Sequence, residues 1–111
     1  MPRVYRRAAA RNDLIEHYAY LAHEAGQETA DRFMDSAEAS FALLATQPAM
    51  GAPLTLRRPE LAGMRKWSVD RFDNFLIFYQ PQPDGVVIVR VLHVARDWWG
   101  LLGTASPRPN T

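Results

Sequence analysis

Residues 74–94 read NFLIFYQ (74–80), PQPDG (81–85) and VVIVRVLHV (86–94), and this stretch decides the fold. The first run is nearly all apolar, as a strand covered on both faces would be. The last run places five valines, one isoleucine and one leucine in nine positions, the strongest strand signal in the chain. Between them Asp84-Gly85 is a strong hairpin signal, so 81–85 is expected to form the turn. A third strand is expected over 64–69, where Met64, Lys66 and Ser68 alternate with Arg65, Trp67 and Val69. Three strands joined by short turns make an antiparallel meander.

Upstream of the meander the hydrophobic period changes. Leu14, Ile15, Tyr18, Leu21, Ala22 and Ala25 recur at three and four from about Ala8, the spacing of one helix face. Gly26 supplies a left-handed stop. A second stripe follows at once through Ala30, Phe33, Met34, Ala37, Phe41 and Leu44, with Glu28 and Asp31 in its first turn where the macrodipole favours negative charge. Pro48 and Gly51 end it. So short a connection between helices gives an antiparallel hairpin. Val4 and Tyr5 favour an extended strand before the first helix. The expected fold class is α+β, in the order β-α-α-β-β-β. The helical hairpin packs on one face of a mainly antiparallel four-stranded sheet, whose other face is left for solvent, a partner or a substrate. A short element is expected over 96–102. One domain is expected over 1–103, followed by a flexible tail over 104–111, where two prolines and a single alanine offer no anchor.

Composition narrows the functional classes. The chain has 111 residues, 48% hydrophobic and 23% charged, which are ordinary globular values for one domain. No apolar run approaches the roughly 18 residues of a membrane span. Arg3, Arg6 and Arg7 interrupt any signal-like opening, so a cytoplasmic protein is expected. The absence of cysteine excludes a disulfide framework, a thiolate nucleophile and a cysteine-bound zinc. The formal net charge of +1 hides an uneven layout. Residues 1–11 hold four arginines and no acid, residues 12–40 hold seven acids against Arg32 alone, and the remainder turns basic again. Arginine supplies nearly all of the positive charge, either through codon bias or as a basic face for an acidic partner or nucleic acid. Near-neutral net charge argues against a general nucleic-acid coat, and no direct DNA binding is expected.

Few residues point to chemistry. No glycine-rich phosphate loop is present. His17 and His23 lie six apart on the first helix, on opposite sides rather than on one metal-binding face, so structural or surface roles are expected and no metal site is implied. His93 ends the valine strand and is a candidate acid, base or hydrogen-bonding strut. Arg90 lies inside an otherwise apolar strand, where it needs a carboxylate partner or water, or else stands as a positive group on the open sheet face. Arg65 and Arg96 invite the same two readings. Trp98-Trp99, after Arg96-Asp97, is either a partner-binding anchor or a hydrophobic latch.

These residues also carry a family likeness over roughly residues 4–102. Residues 10–18 (ARNDLIEHY) resemble the A-x-x-D-L-x-x-I/H-x-Y signature of ParE-type toxins, and Ala30-Asp31-Arg32-Phe33 fits their second helix. Residues 44–51 (LATQPAMG) resemble the L-x-x-x-P-x-x-G helix exit. Gly63-Met64-Arg65, then 71–79 (RFDNFLIFY), then 89–97 (VRVLHVARD) are similar to the G-x-R, R-F-x-x-x-x-I-x-Y and V-L-H-x-x-R-D blocks of the ParE branch of the RelE/ParE superfamily. The order and spacing of the blocks make the match.

The resemblance implies a toxin of a type II toxin–antitoxin pair, used in plasmid stabilisation, which poisons DNA gyrase and arrests growth. It implies neutralisation by a ParD-like ribbon-helix-helix antitoxin in a hetero-oligomer, with no cofactor and no catalytic residue. RelE-like members of the same superfamily instead cut ribosome-bound messenger RNA. That reaction needs a base, a proton donor and cations for the phosphorane charge. Those relatives place a basic residue after the aromatic of the middle strand; Leu76 stands there in this chain. They also carry a tyrosine or histidine near the C-terminus, and none follows His93 here. Gyrase poisoning is therefore the expectation, with RNA cleavage or a non-toxic antitoxin-binding module as alternatives. Arg65, Arg90, His93, Arg96, Asp97, Trp98 and Trp99 are the candidate toxicity residues, of which the family motif supports Arg96 and Asp97 directly. Arg3, Arg6, Arg7, Arg11, Arg57 and Arg58 are the antitoxin-binding candidates, because an acidic antitoxin benefits from basic segments. Contact is expected across the helices and an exposed sheet edge, where a partner strand can add.

Overall fold

The computed structural model describes residues 1–95. Strand β1 (Arg3–Arg6) leads into helices α1 (Ala8–Ala25) and α2 (Gln27–Thr46). Strands β2 (Ala52–Pro53), β3 (Arg65–Val69), β4 (Phe72–Gln82) and β5 (Gly85–His93) follow. The two helices are separated by Gly26 alone, whose φ of +97° makes the sharp reversal that a side chain would resist. The α+β architecture, the helical hairpin and the meander match the reading of the sequence.

The sheet has five strands rather than four, in the order β1-β5-β4-β3-β2. The added strand is the two-residue β2, which pairs antiparallel with β3 through Ala52–Lys66 and Pro53–Arg65. It lies in the connection read as a loop, beside the 3-10 turns Pro48–Met50 and Pro59–Leu61. β1 pairs parallel with β5, from Arg3–Gly85 to Arg6–Ile88, because α1 and α2 intervene as a crossover. β4 is longer than 74–80 and takes Pro81 into the ladder opposite Val86, so the turn shrinks to Pro83 and Asp84. Between Phe78–Arg90 and Tyr79–Ile88 the register shifts, leaving Val89 as a bulge.

The main core lies between the helices and the sheet. Leu14, Leu21, Phe33, Phe41 and Leu44 meet Val69, Phe75, Ile77, Tyr79, Val86, Ile88 and Val91. Along α1 the buried stripe is Ala10, Asp13, Leu14, His17 and Leu21. Ile15, expected on the core face, is instead 67% exposed, because two polar residues occupy the positions beside Leu14 that face the sheet. The second sheet face was expected to be open. Met64, Phe78, Val89 and Leu92 are in fact buried there, with Leu54, Leu56 and Leu61 of the β2–β3 connection packed against them. Covering those apolar side chains is favourable at about 25 cal/mol per Å² of apolar surface removed from water. The expected C-terminal element and tail (96–111) lie outside the described residues. No described helix is long and apolar enough to cross a membrane.

Candidate functional site

Two of the four buried polar or charged side chains of the described residues meet at the end of β5. Asp13 and His17, one turn apart on α1, are each 3% exposed and face the same strand residue. Asp13 Oδ2 accepts the Val91 backbone N–H at 2.9 Å, and His17 Nε2–H donates to the Val91 carbonyl at 2.7 Å. A carbonyl only accepts, so the His17 proton is on Nε2. The same carboxylate grips Arg90 bidentately, at 2.7 Å to Nε and 2.8 Å to Nη2. Those hydrogen bonds raise the guanidinium pKa above its ordinary value against the opposing effect of burial. Arg90 therefore has the carboxylate partner that a mid-strand arginine requires.

His93 sits one ladder step away. Its ring packs edge-on against Phe75 at 5.0 Å, and Phe75 contacts His17 at 4.8 Å. His93 Nδ1 accepts the Ala95 backbone N–H at 3.1 Å, which leaves the ring proton on Nε2. A shallow cleft of about 310 Å³ opens beside it, lined by Glu16, His17, Tyr20, Phe75, His93 and Ala95. Of the candidate toxicity residues, Arg90 and His93 both lie near the end of β5 but on opposite faces of the strand: His93 pairs with Phe75 on the helix side, and Arg90 pairs with Phe78 and reaches Asp13. Arg96, Asp97, Trp98 and Trp99 lie outside the described residues.

Arg65 does not join this group. It pairs with Tyr79 on the far side of β4 and donates Nη1 to the carbonyls of Ala49 (3.1 Å) and Gly51 (2.6 Å). The adjacent Tyr79 hydroxyl donates to the Pro48 carbonyl at 2.7 Å and accepts the Gly51 N–H at 2.8 Å. Two neighbouring strands thereby hold one turn.

A second surface lies on the outside of the helical hairpin. Leu14, Ile15, Tyr18 and Met34 line a largely apolar groove of about 320 Å³ with Arg6 and Arg11 at its edge. Arg6 is bound bidentately by Glu38 and lies over the Phe41 ring at 5.1 Å. Arg11 Nη1 donates to the Arg6 carbonyl at 3.2 Å. Tyr18 donates to Asp31 Oδ1 at 2.6 Å, and that bond is the main reason its pKa is raised. Arg3, Arg7 and Arg57 are exposed, and Arg58 pairs with Glu60 at 3.0 Å. The six basic antitoxin candidates thus split between this groove with the β1 edge (Arg3, Arg6, Arg7, Arg11) and the separate β2–β3 connection (Arg57, Arg58).

Asp13 and His17 were not singled out together from the sequence. The signal was an Asp and a His four apart on the face that carries Ala10, Leu14 and Leu21. Ile15 was visible, but on the wrong side of its helix. No group of three or more ligating side chains suited to a metal occurs among the described residues.

Residues 4–98 match the family model described as "ParE toxin of type II toxin-antitoxin system, parDE". No curated protein matches the chain significantly. Among solved structures, a chain of the "Chromosomal ParDE TA system from P. aeruginosa" is similar at a TM-score of 0.67 and 19% identity, over 84% of this chain and 96% of that one. At that identity the likeness is one of fold.

Proposed function

The chain belongs to the family of ParE toxins of type II toxin–antitoxin systems, and from that premise we propose that it acts in the cytoplasm by binding and inhibiting DNA gyrase, arresting growth until a ParD-like antitoxin neutralises it. The observation that carries binding rather than RNA cleavage is the dispersal of the described cations. A nuclease needs a base, an acid and free positive charge converging on one phosphate. Arg90 is committed to Asp13, and Arg65 is committed to backbone carbonyls on the other side of β4 from His93. Leu76 fills the middle-strand position where the RNA-cutting relatives carry a positively charged residue.

The antitoxin reading rests on the apolar groove around Ile15 and on the outer edge of β1, the last strand on that side of the sheet. An apolar helix face fits the groove, and an extended segment with acidic residues fits the edge among Arg3, Arg7 and Arg11. Arg57 and Arg58 offer a separate basic contact.

Purified protein added to gyrase and supercoiled plasmid should give linearised DNA on denaturation, and added antitoxin should abolish it. A parallel reaction with ribosome-bound message should show no cleavage. Efficient message cleavage with unaltered supercoiling would overturn this function in favour of the ribonuclease. Inertness in both assays with intact antitoxin binding would reduce the chain to an antitoxin-binding module.

A further inference from the structure

The parallel ladder that β1 makes with β5 runs out before β5 does. Its last bond runs from the Arg7 N–H to the Ile88 carbonyl at 3.0 Å. Val91, three residues on, still presents a backbone N–H and C=O on the side away from β4. Such groups on a strand edge ordinarily take water or another strand. Here α1 takes both, through Asp13 on the N–H and His17 on the C=O. Two side chains one helical turn apart span about 6 Å of axis, which suits the donor and acceptor of one extended residue.

We infer that Asp13 and His17 are positioning residues: α1 serves as a surrogate strand that clamps the end of β5 and sets how His93 and the turn through Ala95 leave the sheet. Three further features converge on this point. The bulge at Val89 lies immediately before the clamped pair, and bulges re-aim the residues that follow them. The Asp13 carboxylate also holds Arg90, so one group fixes both the side chain and the backbone of consecutive residues. His17 touches Phe75, which in turn touches His93, giving a packed path from the helix to the strand end. What the clamped end does rests on the gyrase reading above; the clamp itself does not.

The test uses the full chain and three variants. His17→Phe removes the donor to Val91 and keeps an aromatic ring beside Phe75. His17→Gln restores an N–H at about the same reach. Asp13→Asn keeps an acceptor for the Val91 N–H but loses the charge that holds Arg90. Expected for His17→Phe are amide exchange at Val91 faster by about tenfold or more relative to Ile77, and shifted His93 ring resonances. Gyrase inhibition should weaken by about tenfold, while antitoxin affinity stays within about twofold, because the groove lies on the other side of α1. Asp13→Asn should shift the His93 resonances likewise. His17→Gln should restore all three properties. Unchanged Val91 exchange and unchanged His93 resonances in His17→Phe would overturn the clamp. A fall in antitoxin affinity in step with gyrase inhibition would overturn it too, since that is the mark of general destabilisation. If the wild-type chain leaves gyrase untouched while exchange and resonances respond as stated, the gyrase reading fails and the positioning role stands.

Discussion

Tyr79 shows how much one side chain settles. Its ring is buried in the core, while its hydroxyl bridges the Pro48 carbonyl and the Gly51 N–H and so fixes the exit from α2. Gly51 is needed there, since a Cβ on it would lie 2.5 Å from that hydroxyl. Burial raises the phenol pKa above its ordinary value, outweighing the Gly51 hydrogen bond and the Arg65 charge, which lower it. The linkage sign follows. The unfolded phenol ionises near pH 10 and the folded one resists, so this contribution is present below about pH 10 and is lost as pH rises beyond it. Tyr79→Phe should cost about 1–3 kcal/mol at neutral pH by leaving the buried Gly51 N–H and the half-buried Pro48 C=O unpaired. It should also flatten the alkaline fall in stability. Urea denaturation of both proteins at neutral pH and across about pH 9–11 measures the two effects together.

Among the elements, the long and strongly periodic ones were legible in the sequence. α1, α2 and the β4–β5 hairpin carry enough repeats for their period to stand out. β2 was not legible, because two residues hold no period and pair only where β3 places them. The Val89 bulge was hidden for a related reason: it is a property of register between two strands, and the alternation of either strand alone does not reveal it. Arg90 was legible as a charge requiring a partner, but Asp13 lies 77 positions away and no local pattern connects them. The turn was legible from Asp84-Gly85, yet Gly85 serves the ladder rather than the turn. Its ideal Cβ would lie 1.9 Å from the Arg3 carbonyl oxygen, so glycine is what lets β1 approach β5. Gly85→Ala should therefore loosen the start of β1, including the Tyr5 hydroxyl bond to Asp84. The expected cost is about 1–3 kcal/mol, the range of overpacking in a closed space. Amide exchange should rise selectively across β1 while α2 and β4 keep their protection; uniform loss of protection would contradict the assignment.

At the scale of the molecule, α1 separates two surfaces. Its inward stripe grips the end of β5, and its outward side supplies Ile15 and Tyr18 to the groove, which Met34 of α2 completes over the buried Leu14. The charge layout follows the same division. Several of the acids crowded into residues 12–40 have partners within the chain: Asp13 with Arg90, Glu38 with Arg6, Asp31 with Tyr18 and Glu28 with Arg32. The basic N-terminal segment, by contrast, keeps Arg3 and Arg7 exposed at the two ends of β1, and puts Arg6 and Arg11 in the wall of the groove. On the proposed function, a partner with an apolar face and acidic flanks suits the hairpin side, and the second partner would meet the β5 end instead. Separation of the surfaces predicts separable defects. Ile15→Asp adds a charge at an exposed position, so folding stability should change by no more than about 0.5 kcal/mol. It also places that charge in the middle of an apolar groove, where a partner's side chains would have to desolvate it. Antitoxin affinity should drop by about tenfold to a hundredfold, while gyrase inhibition by the free chain holds at the wild-type level. Calorimetry with purified antitoxin, run beside the gyrase assay on the same preparation, reads both numbers. Equal loss in the two assays would mean that one surface serves both partners, and the division drawn along α1 would not survive it.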